Sequence, residues 1–234
     1  MNPKSPLSDM ELIKAGKTKD VYKTEDGTIL LKFKDTITGH PSGEPDPGGN
    51  VVIGSAEGVG AGALKMTLYY FELLKKHKIP THYIKGDLSA REMIVRPAES
   101  FGRGLEFVIR YKAAGSFIRR FGTYCQEGDE LPSLFEVTLK EDESNDPPAT
   151  REILGALKLL EHEDFDYIEK ESRRICGIIK DDLLGRGLDL YDIKLEFGRV
   201  EGSIALIDEI SPGNMRVYRG GEKLSYQELS DLVG

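Results

Sequence analysis

Tyr191-Asp192-Ile193-Lys194-Leu195-Glu196-Phe197-Gly198 is the stretch on which the reading of the chain turns. Successive side chains of a strand point to opposite faces, so Asp192, Lys194 and Glu196 share one face while Ile193, Leu195 and Phe197 take the other, the core face. Three charges in a row then face something polar. The next apolar stretch, Leu206-Ile207-Asp208-Glu209-Ile210-Ser211-Pro212, is joined to it by Arg199-Val200-Glu201-Gly202-Ser203, a hairpin connection in which Gly202 supplies the positive φ of a tight turn. A three-residue loop over Glu201 to Ser203 pairs Val200 with Ile204 and thereby sets Glu196 opposite Asp208. Two carboxylates so placed repel. A hard cation with oxygen ligands removes the repulsion, and Mg²⁺ bridging carboxylates to nucleotide phosphates is the common arrangement of that kind. A solvated strand face with an ordinary turn is the alternative, and a loop one residue longer or shorter would part the two carboxylates.

Outward from this hairpin the chain alternates irregularly between strands and helices. Glu11 to Lys23 and Thr28 to Asp35 read as strands about an Asp26-Gly27 turn. Residues 36 to 62 hold eight Gly and three Pro, which excludes a continuous helix or strand and marks a long loop. Leu64, Leu68, Phe71 and Leu74 recur at helical spacing over Ala63 to Lys78, with Pro80 as the stop. Strands follow over Thr81 to Lys85, Glu92 to Arg96, Glu106 to Tyr111 and Phe135 to Lys140, with a short helix over Ala113 to Arg120 closed by Gly122. After an acidic loop from Asp142 to Pro148, Thr150 caps a helix, Asp164 to Asp182 forms a long amphipathic one, and Ser225-Tyr226-Gln227-Glu228 is a capping box. Few strand-helix-strand units alternate, so the fold class is α+β and not a doubly wound sheet.

Composition narrows the function classes. With 234 residues the chain makes one large domain or two small ones, and 39% hydrophobic residues exclude wholesale disorder. A net charge of -8 argues against nucleic acid as partner but leaves room for a local basic pocket. Cys125 and Cys176 lie in no CxxC or Cys/His cluster, which disfavours structural zinc and points to a reducing, cytoplasmic setting. No apolar run reaches the length of a membrane span and the first residues lack a signal-peptide core, so no membrane is expected; a homo-oligomer is left open.

Two basic groups stand out. Gly16-Lys17-Thr18-Lys19 resembles a phosphate cradle in chemistry, backbone N–H groups beside two ammonium groups, without Walker spacing; an exposed Gly-Lys turn is the plainer reading. Lys32 and Lys34 share a strand face and either reach a phosphate or are simply solvated. Arg110, Ser116, Arg119 and Arg120 surround Ala113-Ala114-Gly115, a pattern suited to an anionic substrate or to an ordinary surface helix, and Arg216 can complete the same pocket.

The stretches GKTKDVY (16 to 22), RYKAAGS (110 to 116), KEDESNDP (140 to 147), YDIKLEFG (191 to 198) and IDEISP (207 to 212) resemble, in order and spacing, those of the SAICAR synthetase family. The resemblance runs from about Lys14 to the C-terminus. It implies a mainly β N-terminal lobe over residues 1 to 97, with a nucleotide site like that of protein kinases and ATP-grasp enzymes, and an α+β lobe over residues 98 to 234 that carries substrate and metal. It implies ATP and Mg²⁺ as cofactors, and small-molecule substrates: an anionic ribonucleotide and an amino acid. The reaction would join the carboxylate of carboxyaminoimidazole ribonucleotide to L-aspartate through an acyl phosphate, in purine biosynthesis. Lys17, Lys19 and Lys34 would hold the nucleotide, Glu196 and Asp208 the metal, and Arg110, Ser116 and Arg216 the ribonucleotide. Lys194, Asp142 and Asp146 would be the catalytic set.

The chain departs from the family pattern at Val59 (a lysine between two glycines), Ala63-Leu64 (an asparagine pair), Tyr111-Lys112, Thr36 and Gly213 (both acidic in the pattern). These changes bring in two alternatives: a paralogous ligase with other substrates, and a nucleotide-binding regulator without catalysis.

Overall fold

The computed structural model describes residues 10–47, 49, 51–144 and 146–234 and, for Asp142, the backbone alone. From the N-terminal side run β1 (Glu11–Ala15), β2 (Lys19–Lys23), β3 (Ile29–Phe33), β4 (Thr36–Gly39) and β5 (Val51–Ser55), then α1 (Val59–Lys76), β6 (Tyr83–Asp87) and β7 (Glu92–Val95). There follow β8 (Glu99–Ser100), β9 (Leu105–Lys112), α2 (Ser116–Phe121), β10 (Glu130–Leu139), α3 (Arg151–Ala156) and α4 (His162–Gly185). The chain closes with β11 (Asp189–Val200), β12 (Ser203–Ile207), β13 (Met215–Arg219), β14 (Glu222–Lys223) and α5 (Tyr226–Leu232). Five strands make an antiparallel sheet in the order β1-β2-β3-β7-β6, seven make a second sheet ordered β10-β9-β11-β13-β14, and β12 and β8 pair with the far half of β11. The α+β reading is the observed architecture. Among the described residues no helix is long and apolar enough to cross a membrane.

The long helix α4 makes the large sheet two-sided. Its Ile168, Ile175, Ile179 and Leu183 are buried at helical spacing against β9, β10 and β11. Ile193, Leu195 and Phe197 meet that side from β11, and Phe107 and Ile109 from β9, as the strand period requires. Phe107 sits edge-on to Phe197 at 5.4 Å and stacks on Phe135 at 6.2 Å. The same buried cluster takes in Leu64 and Phe71 of α1 and Phe33 and Met93 of the smaller sheet. The opposite side of β9 and β11 is thereby free for charged groups.

Three local expectations are corrected. The Gly/Pro-rich stretch is not all loop: β4 and β5 pair as a two-stranded ribbon, because Val51-Val52-Ile53 supplies enough β-forming side chains. Helix α1 begins at Val59 and not Ala63, since the Gly60 N–H is taken up by Asp35 Oδ1 at 3.0 Å. The β11–β12 hairpin has a two-residue turn, with Val200 opposite Ser203 and Glu196 opposite Ile207. Glu201 and Gly202 both have positive φ, 51° and 81°, the turn whose twist matches the flanking strands. Glu196 and Asp208 are therefore not cross-strand partners.

Phe107 is fully buried, so Phe107→Ala leaves a cavity that its neighbours cannot fill. Urea unfolding should show a loss of about 3–5 kcal/mol with unchanged steepness; a loss under about 1 kcal/mol would contradict this packing.

Candidate functional site

One face of the large sheet forms the site. Across the β9–β11 pair Arg110 stands opposite Asp192, Val108 opposite Lys194, and Glu106 opposite Glu196, while β13 sets Arg216 opposite Asp192 from the other side. The like-charged pair thus exists, but between Glu106 and Glu196. Lysines relieve it: Lys194 Nζ donates to Glu106 Oε1 at 2.7 Å and Lys140 Nζ to Glu196 Oε1 at 2.5 Å. Thr138 Oγ1 donates to the second Glu106 oxygen at 3.2 Å.

Asp208 joins this group by a backbone device. Continued as a strand, residue 208 would turn toward the core, yet Asp208 adopts φ 64°, the left-handed region that asparagine and aspartate tolerate best among residues other than glycine. Its carboxylate accepts from Lys19 Nζ at 2.7 Å, and Glu209 Oε1 lies 3.4 Å from the same ammonium. Lys19 comes from β2 of the smaller sheet, so this ion pair spans the two sheets. Burial opposes the Lys19 charge, but Asp208 and Glu209 outweigh it and its pKa rises. Burial and the repulsion of Asp208 raise the Glu196 pKa against the pull of Lys140. Asp208 itself is held low, because Lys19 and Lys140 overcome its burial. His82 is buried beside it; burial pushes the ring down to about 4, and the neutral Nε2–H donates to the Asp208 carbonyl at 3.1 Å.

The arginines gather at the other end of the same face. Arg110 Nη1 and Arg216 Nη1 donate to one oxygen of Asp192, at 2.5 and 2.7 Å, and Arg110 Nη2 donates to Ser116 Oγ at 2.8 Å. Gly115 makes room for this: a Cβ there would lie 2.2 Å from Arg216 Nη2. Arg110, Ser116, Asp146, Lys194 and Arg216 line one groove of about 500 Å³. Helix α2 is six residues long, so the anion-attracting chemistry resides in the guanidinium groups and not in a helix end.

The other residues named from the sequence lie around this groove in different ways. Lys17 is exposed in the turn before β2, and Lys34 Nζ is engaged by the Gly16 carbonyl at 2.8 Å and Asp20 at 2.6 Å, bracing that turn. Asp146 has φ 48° and accepts from the Glu141 N–H at 2.9 Å. The Asp142 backbone lies in a 3₁₀ turn over Asp142–Ser144, and its side chain lies outside the described residues. Lys140, Glu106, Glu209 and Asp46 are charged partners that the sequence reading did not name. Glu106 had a legible signal, sharing strand parity with Arg110; the others are brought in by loops and long-range pairing. Thr36, Val59, Ala63 and Gly213, four positions that depart from the family pattern, line a single cavity of about 20 Å³ with Glu209. Tyr111 lies elsewhere, under Lys180 at 4.2 Å.

Replacing His82 by leucine removes the donor to the Asp208 carbonyl and should cost about 1–3 kcal/mol in urea unfolding. Glutamine, which can donate from a similar position, should recover most of it; equal stability of the two variants would show that the bond carries nothing.

Comparison with known proteins agrees with this architecture. Residues 12–230 match the family model described as SAICAR synthetase. The phosphoribosylaminoimidazole-succinocarboxamide synthase of Clostridium tetani is 50% identical over 226 residues, covering 96% of this chain and 99% of that protein. The synthase of Aquifex aeolicus is 38% identical over 87% of this chain and 89% of its own length. Among solved structures, a SAICAR synthetase (Type-2) in complex with ADP superposes with a TM-score of 0.80 at 30% identity, over 92% of this chain and 88% of its own. The synthase from Ehrlichia chaffeensis gives 0.82 at 26% identity, over 94% and 90%. With sequence and fold in agreement over nearly the whole length, the chain belongs to the SAICAR synthetase family.

Proposed function

We propose that this chain is the ATP-dependent ligase that joins the carboxylate of carboxyaminoimidazole ribonucleotide to the amino group of L-aspartate, a step of purine biosynthesis, with release of ADP and phosphate. The observation that carries the reading is the single sheet face on which paired carboxylates and lysines adjoin an arginine groove. Identity of 50% to the Clostridium tetani synthase over almost the whole chain does not favour a paralogue with other substrates or a non-catalytic regulator. In this reading residues 1 to 97 form the nucleotide lobe and residues 98 to 234 the substrate lobe, in the cytoplasm. ATP use is supported by the relative solved with ADP.

The donor set suits Mg²⁺. Glu196 and Asp208 offer hard oxygen ligands, and their mutual repulsion is relieved only in part by lysines. Among the described residues no group of three or more His, Cys, Asp or Glu is placed to cage an ion. Mg²⁺ needs no cage, since it is held by one or two carboxylates plus phosphates and water. When bound it would supply charge neutralisation on the phosphates.

A carboxylate is a poor electrophile, so ATP first converts it to an acyl phosphate, and the amine then displaces phosphate. Lys17, Lys19 and Lys194 offset charge that develops on the transferring phosphoryl group, with Lys140 beside them. Lys34 acts by holding the Gly16 turn. Arg110, Ser116 and Arg216 orient the ribonucleotide by its anionic end, and Asp142 and Asp146 lie on the loop beside it.

Coupled ADP release tests the reading. Turnover should require both the ribonucleotide and aspartate, and Glu196→Gln should lower kcat by about 100-fold or more while the protein stays folded. ADP release that ignores either substrate, or an undiminished Glu196→Gln enzyme, would overturn it.

A further inference from the structure

We propose that Asp46 is an internal occupant of the groove's anion subsite, displaced by the phosphate of the bound ligand, and that it thereby sets the affinity for the phosphorylated substrate. This role rests on the groove being the ribonucleotide site.

Arg216 Nη2 donates to both oxygens of Asp46, at 2.7 and 2.9 Å, and both residues are buried. His40 Nε2 stands 3.5 Å from the same carboxylate and 3.1 Å from Arg119 Nη1. His40, Arg119 and Arg216 all line the groove. Asp46 therefore satisfies the guanidinium that an anionic ligand would need.

The other carboxylates that neutralise this arginine cluster are fixed. Glu136 is carried by β10 and Asp192 by β11, both strands of the large sheet. Asp46 alone among these three sits between β4 and β5, outside that sheet. The backbone bond from the Asp46 N–H to the Thr38 carbonyl, 3.2 Å, does not involve the carboxylate, so parting the carboxylate from Arg216 leaves that bond in place. Arg216 does not depend on Asp46 for its position, since Asp192 holds Nη1 at 2.7 Å.

Charge gives the direction of the exchange. Arg119 has no carboxylate at ion-pair distance among the described residues, and burial together with Arg216, Arg110 and Arg120 lowers its pKa against the influence of Asp46. Arg110, Arg119, Arg120 and Arg216 are thus four guanidinium groups set against three carboxylates, Glu136, Asp192 and Asp46, which leaves one positive charge over. A phosphate monoester carries close to two negative charges at neutral pH and three acceptor oxygens, where Asp46 offers one charge and two. The phosphate can engage Arg216 and Arg119 together, so it wins the site, at a cost equal to releasing Asp46.

Calorimetric titration of the full chain with ribose 5-phosphate, a non-reacting monoester, tests this. Asp46→Asn should bind it about 10-fold more tightly than the unaltered protein, and Asp46→Ser provides the same comparison should the asparagine variant misfold. Affinity for Mg²⁺-ADP should not change in either. Unchanged or weaker ribose 5-phosphate binding in these variants would overturn the proposal and make Asp46 a support for the site. Arg216→Gln separates that result from failure of the ribonucleotide reading: if ribose 5-phosphate binds equally well without Arg216, the groove is not the phosphate site and both fall.

Discussion

Glu106 and Glu196 face each other across neighbouring strands, and Lys194 and Lys140 are what allow the sheet to carry that pair. Like charges directly opposite destabilise a sheet, and burying them without partners would cost more. The lysines fix the arrangement: Lys194 is locked to the sheet it sits on, and Lys140 is drawn in from the end of β10. Lys19 then ties Asp208 to the smaller sheet. Arg110, Asp192 and Arg216 continue along the same face.

That face is possible only because α4 covers the opposite one. Strand parity sends Phe107, Ile109, Ile193, Leu195 and Phe197 toward the helix, and the residues between them, Val108, Lys194 and Glu196, take the opposite face. The apolar side supplies stability that the charged side consumes. Buried ion pairs tend to break even at best against hydrophobic packing, so the stability of this sheet rests on its apolar side.

Much of this was legible in the sequence. The alternation over residues 191 to 198 revealed both the core face and the charged face of β11, and the family resemblance implied Lys19, Glu196, Asp208, Arg110, Ser116 and Arg216, which the fold gathers on or beside one surface. The register was not legible. A two-residue and a three-residue turn differ by one position, and the two-residue turn puts Glu201, not a glycine alone, in the left-handed region. Asp208 still reaches the Glu196 side because its own backbone turns left-handed, a compensation that spacing rules do not contain. Lys140, Glu209 and Asp46 escaped for a related reason: each acts through a partner far along the chain, and no local pattern marks it. The ribbon of β4 and β5 was hidden by its glycines and prolines, which describe the connection and not the strands.

Glu196 at the middle of the charged face and Asp208 just beyond β12 jointly hold, in the mechanism proposed for this chain, the cation that accompanies the nucleotide. Crystals grown with ADP and Mn²⁺ in place of Mg²⁺ test this by anomalous scattering. A manganese peak should appear in direct coordination with Glu196 and Asp208, beside the Lys19 ammonium. A peak ligated by the nucleotide with neither carboxylate would contradict it.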